Sequence, residues 1–164
     1  MIIKRFKKHK LAVISFYFLC IVGIIAILAP VIAPYDPNKV SLLFGKPPSM
    51  EHFLGTDQIG RDMLSRILFA TRNSLFVGLA VTVISTIIGV VLGLLSGYFG
   101  GWVDIVIMRI TDIIMSFPYI LLVLVAAAIF EPGFWNIIII LGFVNWPGVA
   151  RLVRGNVLSL REAN

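Results

Sequence analysis

The sequence predicts an all-α protein, a polytopic bundle of transmembrane helices with about four spans. Its 164 residues are 59% apolar and 13% charged, with a mean hydropathy of +1.01. In soluble domains, by comparison, roughly 45–50% of residues are apolar and about 25% are charged. A soluble chain of this length could not bury so many large apolar side chains, so lipid is their natural solvent. Four long apolar runs, separated by one polar loop and two short turns, give the number of spans.

The first apolar run covers residues 11–33 without a charge, enough to cross a core of about 30 Å at about 1.5 Å per residue. A cleaved signal peptide is the alternative, but the run exceeds the usual apolar region of roughly 7–15 residues. Residues 1–33 are therefore predicted to form a basic cytoplasmic arm and the first span. The arm, which would lie on anionic lipid, contains Lys4, Arg5, Lys7, Lys8 and Lys10.

Residues 34–73 form the main polar interruption and are predicted to be an extracytoplasmic loop. Turn-forming sequences occur at 34–38 and 46–49. The apolar spacing over residues 62–71 predicts a helix-entry or interfacial segment with Arg66 on its polar side. Charges exclude the stretch from hydrocarbon; they are Asp57, Arg61, Asp62, Arg66 and Arg72.

The second span, residues 75–99, carries a row of small residues. Steps of three and four place them on one helical face, and such a face lets another helix approach closely in lipid. The alternative is that glycine is simply common in membrane helices. We predict tight helix packing, with no partner specified, through Gly78, Ser85, Gly89, Gly93 and Gly97, together with Ser74 and Thr82.

The third run, residues 104–130, contains two charges and a proline. Arg109 and Asp112 lie one helical turn apart and are predicted to pair or to reach the headgroups; the alternative is a polar contact inside a bundle or along a pathway. Pro118 removes a backbone donor and predicts a kink. In the fourth run, residues 134–150, Asn145 and Pro147 predict an irregular interruption.

The distribution of Lys and Arg predicts the orientation. The arm holds five, the 34–72 loop five and the C-terminal tail three, and the turns at 98–104 and 131–133 hold none. With the N-terminus in the cytoplasm, eight basic residues lie inside and five outside. Both termini are therefore predicted to be cytoplasmic.

The sequence contains no recognisable catalytic or cofactor motif. It lacks a phosphate-binding glycine loop, a His-Glu-x-x-His motif and a Gly-x-Ser-x-Gly motif. Cys20, His9 and His52 are isolated, so no ligand set is indicated, and no span carries a pair of catalytic carboxylates or histidines. We predict no enzymatic activity, no cofactor and no metal. The net charge of +6 is assigned to contact with lipid rather than nucleic acid.

The segment His52-Phe-Leu-Gly-Thr-Asp-Gln-Ile-Gly-Arg-Asp62, followed by Ser65-Arg66, resembles the inner-membrane permease subunits of dipeptide, oligopeptide and nickel-type ABC importers, more specifically the second permease of the pair. The resemblance covers nearly the whole chain and continues through residues 97–104, Met108-Arg109, Asp112, Pro118, residues 145–148 and residues 151–154. It marks Gly55, Thr56, Asp57, Gly60, Arg61 and Asp62 as family-specific structural residues. We hypothesise that Asp57, Arg61 and Asp62 pair with one another and with backbone groups to order the external loop near a partner permease.

The resemblance also implies an architecture and a set of partners. Such permeases lie in the bacterial or archaeal cell membrane with six spans and pair with a homologous permease. Two ATPase subunits bind them, and an extracytoplasmic binding protein delivers the peptide. Residues 74–164 would then be a partial permease domain with three spans, ending before the expected Glu-Ala-Ala…Gly coupling motif. The alternative is a truncated, non-transporting four-span membrane protein that acts only as an interaction or assembly partner.

Overall fold

The computed structural model describes residues 9–162, which form five α-helices and, within that range, no β-strand. The helices are α1 (Lys10–Ile32), α2 (Met63–Phe99), α3 (Gly101–Ser116), α4 (Tyr119–Ile129) and α5 (Phe134–Glu162). The predicted all-α class is confirmed. The chain divides into two compact units between Phe76 and Val77, within α2. The basic residues Lys4, Arg5, Lys7 and Lys8 of the predicted arm lie outside the described residues.

The number of candidate spans agrees with the prediction of about four. Helices α1, α2 and residues 134–161 of α5 are each long and apolar enough to cross a membrane. Helices α3 and α4 pass the same test together, as a pair bent by 91° at a short break. The chain is therefore a multi-pass membrane protein.

In the first unit, α1 presents apolar side chains on nearly every side. Leu11 and Val31 are each 82% exposed, and Ala26 and Ala29 are buried. A helix that is apolar all round requires lipid or other helices as its surroundings. Its bounds lie within one residue of the predicted run.

Helix α2 begins twelve residues before the predicted second span, at Met63 rather than residue 75. Its 37 residues extend for about 56 Å, well beyond a hydrocarbon core of about 30 Å. The predicted helix-entry segment is thus continuous with the span. Because Arg66 and Arg72 lie in its first turns, this end of α2 belongs outside the hydrocarbon.

In the second unit, the small residues of α2 pack against α5. A Cβ atom added at Gly93 would come within 2.6 Å of the Ala150 carbonyl oxygen, and one at Gly97 within 2.7 Å of Val157 Cβ. A Cβ atom added at Gly89, which precedes both, would meet Trp146 and Val149, which lie nearer the start of α5. Later residues of α2 meet later residues of α5, so the two helices are parallel.

Only part of the small-residue row of α2 makes close contact with another helix. Ser85 is buried, but a Cβ atom at Gly78 would have no neighbour within 4 Å. Close contact near that end comes instead from α5, where a Cβ atom at Gly142 would lie 2.6 Å from Ile84 Cγ2. The α2–α5 interface therefore has glycines on both helices.

Helices α3 and α4, joined at a bend of 91° and together called the broken span, meet α5 in the reverse chain order. Asp104 at the start of α3 contacts Arg154, and Tyr119 at the start of α4 contacts Asn145. At the end of α4, Phe130 lines a cavity with Asn136. These contacts extend over residues 136–154 of α5, about 27 Å of helix, which matches the thickness of a hydrocarbon core.

The expected kink at Pro118 is a complete break. Phe117 and Pro118 have ψ angles of 140° and 124°, outside the helical region. Proline has no N–H to continue the helix, and its ring disfavours the helical conformation of the residue before it. The position of the irregularity is thus the predicted one, but the predicted kink is a full break between two helices, and α3 begins three residues before the predicted residue 104.

The predicted interruption of the fourth run was wrong, because α5 is continuous through Asn145 and Pro147 and extends to Glu162. Pro147 costs one backbone hydrogen bond, whereas a break would expose several backbone groups in lipid. Buried neighbours also hold the helix in place, since Trp146 is 6% exposed and Ala150 is fully buried against Ile107 and its neighbours.

We expect Gly93→Ala to destabilise the protein by about 1–3 kcal/mol, because its methyl group would overlap the backbone of α5. Gly78→Ala is the matched control; with open space at that site it should be neutral or slightly stabilising. Thermal unfolding of the purified protein in detergent measures both. Equal midpoints for the two variants would contradict the packing described for α2 and α5.

Candidate functional site

The segment between α1 and α2 folds through hydrogen bonds between two stretches, residues 41–46 and 55–60. The N–H of Ser41 donates to the Gly60 carbonyl at 3.0 Å, and the N–H of Gly45 donates to the Asp57 carbonyl at 2.9 Å. Thr56 completes the set, because its hydroxyl donates to the Leu43 carbonyl and accepts from the N–H of Lys46. The motif residues thus form a compact loop with little regular secondary structure.

Gly55 and Gly60 allow the two stretches to approach closely. Their φ angles are +74° and +83°, in the left-handed region that other residues rarely adopt. A Cβ atom at Gly60 would lie 2.1 Å from the Ser41 carbonyl oxygen, and one at Gly55 would lie 2.3 Å from that of Lys46. Both the conformation and the space require glycine.

The carboxylate of Asp57 accepts hydrogen bonds from four donors. Its Oδ1 accepts the N–H groups of Ile59 and Arg61 at 3.0 and 2.9 Å. Its Oδ2 accepts from Arg61 Nε at 2.8 Å and from the guanidinium of Arg66. Because Arg66 lies in the first turns of α2, Asp57 joins the loop to the helix.

These donors stabilise the charged form of Asp57. The N–H of Arg61, with further contributions from its guanidinium and from the N–H of Ile59, lowers the pKa of Asp57 from 3.8 to about 2, although burial acts in the opposite direction. The carboxylate therefore stays ionised well into the acidic range.

Asp62 caps the start of α2. Its Oδ2 accepts the N–H of Ser65 at 2.8 Å and the Ser65 hydroxyl at 2.7 Å, as expected of an N-cap aspartate. Its Oδ1 lies 2.8 Å from Nδ1 of the buried His52. The His52 ring packs against Tyr35 with 4.8 Å between centroids, so the cap is linked to the start of the loop.

The environment of Asp62 favours its charged form overall. Burial of Asp62 raises its pKa, but the N–H of Ser65, the His52 ring and the Ser65 hydroxyl together outweigh burial and bring the pKa below 3.8. An ionised carboxylate can only accept, so the hydrogen between the two side chains is assigned to His52 Nδ1.

The loop differs from the hypothesised charge cluster in one respect. Asp57 pairs with Arg61, but Asp62 pairs with His52 instead of Arg61. The separation of roles is geometric, because Asp62 begins α2 and points at the helix N–H groups. Arg66 and His52 were not identified as partners from the sequence. The Asp-x-x-Ser spacing at 62–65 is a signal for the cap that the sequence does contain.

Within the spans, the charged pairs also differ from expectation. Asp112 contacts Arg151 of α5 at 2.8 Å instead of Arg109. Asp104 of α3 receives two hydrogen bonds from Arg154 of α5 and one from Ser96 of α2. Helix geometry explains this, since side chains on α3 reach facing helices as readily as their own neighbours, and partners 50 residues apart leave no local pattern.

The polar side chains of the described loop mainly hold its backbone in place. Among residues 9–162, no three metal-ligating side chains lie close enough together to hold a metal ion. The ionised aspartates are occupied by structural partners, and the motif glycines serve backbone geometry. The loop is therefore suited to presenting a fixed surface.

We expect Asp57→Asn to loosen the loop more than Arg61→Gln, because the first removes the charge that four donors share and the second removes only one donor. Protease cleavage within residues 41–62 measures the loosening.

The Asp57 pKa in the folded protein lies below its unfolded value, so the stabilisation is present above pH 3.8 and is lost as pH falls towards about 2. Cleavage of the parent by pepsin should therefore rise across this window, and that rise should be smaller in Asp57→Asn. Identical pH profiles would contradict the assignment.

We expect Gly60→Ala to disrupt the loop, whereas Gly45→Ala should cost only about 1 kcal/mol for its left-handed conformation. The added methyl group meets the Ser41 backbone in the first case and open space in the second. Cleavage within residues 41–62 by chymotrypsin, which is active at neutral pH, compares the two variants. Equal cleavage of both variants would show that close approach at Gly60 is unimportant.

Comparison with known proteins gives two family matches. Residues 1–48 match the N-terminal TM domain of oligopeptide transport permease C. Residues 89–164 match the binding-protein-dependent transport system inner membrane component. The second match contains most of the α2–α5 interface and the whole broken span.

Individual relatives are similar over nearly the whole chain. The dipeptide transport system permease protein DppC of Bacillus subtilis is 38% identical over 160 residues, 97% of this chain and 50% of the relative. The oligopeptide transport system permease protein OppC of the same species is 39% identical over 96% of this chain and 52% of the relative. The glutathione transport system permease protein GsiD of Escherichia coli is 39% identical over 97% and 53%.

The chain spans about half the length of the curated relatives that it matches. The family is one of transport permeases, not of enzymes. The chain therefore carries matches to two domains of transport permeases, and over nearly its whole length it is similar to inner-membrane permeases named for dipeptide, oligopeptide and glutathione transport.

Proposed function

We propose that the chain forms part of the translocation pathway for peptides in an ATP-driven ABC importer. The observation that carries this proposal is the similarity, over 96–97% of this chain, to permeases named for dipeptide, oligopeptide and glutathione transport. Those solutes share a peptide main chain with charged ends. Nickel complexes, which the sequence resemblance includes, are a second solute class for the same test.

The proposed partners are those that the resemblance to importer permeases implies. ATP hydrolysis would occur in two separate ATPase subunits, in keeping with the absence of a nucleotide-binding motif from this sequence. A homologous permease would supply the other half of the pathway, and an extracytoplasmic binding protein would deliver the peptide. ATP binding would then rearrange the permease helices and change access from the outside to the cytoplasm.

Two structural features are suited to such a rearrangement. Helices α2 and α5 are held together by backbone contact at Gly89, Gly93 and Gly97, so they would move as one body. The break at Pro118 divides the third span into two rods joined by two non-helical residues. A break of this kind is a natural hinge.

We propose that the N-terminus is cytoplasmic and that the motif loop faces outward. The bias of eight basic residues against five supports this orientation. Arg161 near the end of α5 lies 3.6 Å from the Cβ position of Gly100, so the α2–α3 turn and the basic tail share one end of the second unit. The domain boundaries at residues 33 and 73 remain predictions.

We expect deletion of the coding region to abolish uptake of a labelled dipeptide by the source cells, and re-expression of the chain to restore it. Uptake of labelled oligopeptide, glutathione and Ni²⁺ in the same strains would identify the solute class. Co-purification from detergent should recover an ATPase subunit and a second permease. Uptake unchanged by the deletion would refute a transport role, and partners recovered without any effect on uptake would favour the non-transporting alternative.

A further inference from the structure

Helix α5 has a polar face directed away from α2. The side towards α2 carries the contacts made by Trp146, Val149 and Val153. The opposite side carries small and polar residues at steps of three and four, and all are exposed in this chain; they are Asn145, Gly148, Arg151, Gly155 and Ser159. A Cβ atom at Gly148 or Gly155 would have no neighbour within 4 Å.

Asn145 begins this face and lies midway along the part of α5 that meets α3 and α4. It is nine residues, or about 14 Å, from both Asn136 and Arg154, where α5 meets the end of α4 and the start of α3. Its amide nitrogen donates to the Leu141 carbonyl at 2.7 Å and to the Tyr119 hydroxyl at 3.2 Å. Its Oδ1 accepts no hydrogen bond from any residue between 9 and 162, so an acceptor is open at the centre of the span.

The backbone break lies at the same depth and beside the same residues. A cavity of about 370 Å³ is lined by Met115, Phe117, Tyr119, Asn145 and Gly148, among others. Irregular backbone at membrane depth is tolerated only where it is covered by protein or faces water. Ligand pockets begin at about this volume.

A charged pair continues the polar face towards the end of α5. Asp112 and Arg151 contact each other at 2.8 Å, and their side chains are 55% and 49% exposed. Charges exposed to hydrocarbon are costly and normally face a bundle interior or a water-filled cavity. Lipid is therefore the wrong surrounding for this side of α5.

We infer that Tyr119, Asn145 and Gly148 line the water-filled solute pathway and contact the main chain of the transported peptide. The inference rests on the proposed function. Asn145 Oδ1 can accept a peptide N–H, the Tyr119 hydroxyl can donate to a peptide carbonyl, and Gly148 leaves room for the chain. Each peptide residue other than proline carries one such donor and one acceptor, so these neutral groups would serve peptides of differing side chains.

The test uses cysteine accessibility in the assembled importer, in native membranes, with Cys20→Ser as the parent. Asn145→Cys and Gly148→Cys place a thiol on the polar face. Ile87→Cys is the matched control: Ile87 is apolar and 59% exposed, and it lies at the depth of Asn145 because nearby Gly89 meets Trp146. A water-soluble methanethiosulfonate is applied with and without saturating dialanine.

We expect fast modification of Asn145→Cys and Gly148→Cys, slowed by dialanine, and slow modification of Ile87→Cys. Apolar surroundings raise the pKa of a thiol, and each unit of increase lowers the reactive thiolate about ten-fold. Two unreactive cysteines at 145 and 148 would overturn the inference, since the face would then be sealed by a partner permease or by lipid. Reactive cysteines that dialanine does not protect would also overturn it.

Uptake of dialanine by the Cys20→Ser parent is measured first, which separates the two proposals. A parent that takes up no peptide refutes the proposed function itself. A parent that transports normally but gives unprotected or unreactive cysteines refutes only the pathway assignment. Gly148→Cys keeps the test valid if Asn145→Cys fails to assemble, because its side chain enters open space.

Discussion

The close parallel packing of α2 against α5 is the constraint on which the second unit depends. Lipid tails are as apolar as Leu or Ile, so helices in a membrane gain little from burying such side chains and associate through dispersion and polar contacts. Gly89, Gly93 and Gly97 bring the α5 backbone within contact of α2. This register sets the depth of Asn145 and Arg154, and therefore the points at which the broken span α3–α4 is held.

In each unit, aspartate side chains fix the end of a helix by hydrogen bonds. In the second, Asp104 joins Arg154 and Ser96, so one carboxylate connects three helices. In the first, Asp57 and Asp62 connect the motif loop to the start of α2 through Arg66 and Ser65. Both loop aspartates have lowered pKa values, because the hydrogen-bond donors around each carboxylate outweigh the opposing effect of burial.

Pro118 and Pro147 affect their helices differently. The break at Pro118 is accompanied by Tyr119 and Asn145, whereas Pro147 lies in a helix whose neighbours are well packed and causes no break. The same residue type thus has opposite outcomes. Local propensity alone does not decide between them, because the cost of a break depends on what surrounds the freed backbone groups.

Composition and hydropathy by themselves determined the membrane class, the number of spans and the place of the polar loop, because lipid imposes length and polarity on every span. Ordered motif residues were sufficient to indicate the family. Only the tertiary structure decided that Asp62 pairs with His52, that Asp104 pairs with Arg154, and that α5 is the partner of the glycine face. The physical reason is that these contacts join residues 10 to 60 positions apart, and their partners are selected by helix register and depth, which no local pattern encodes.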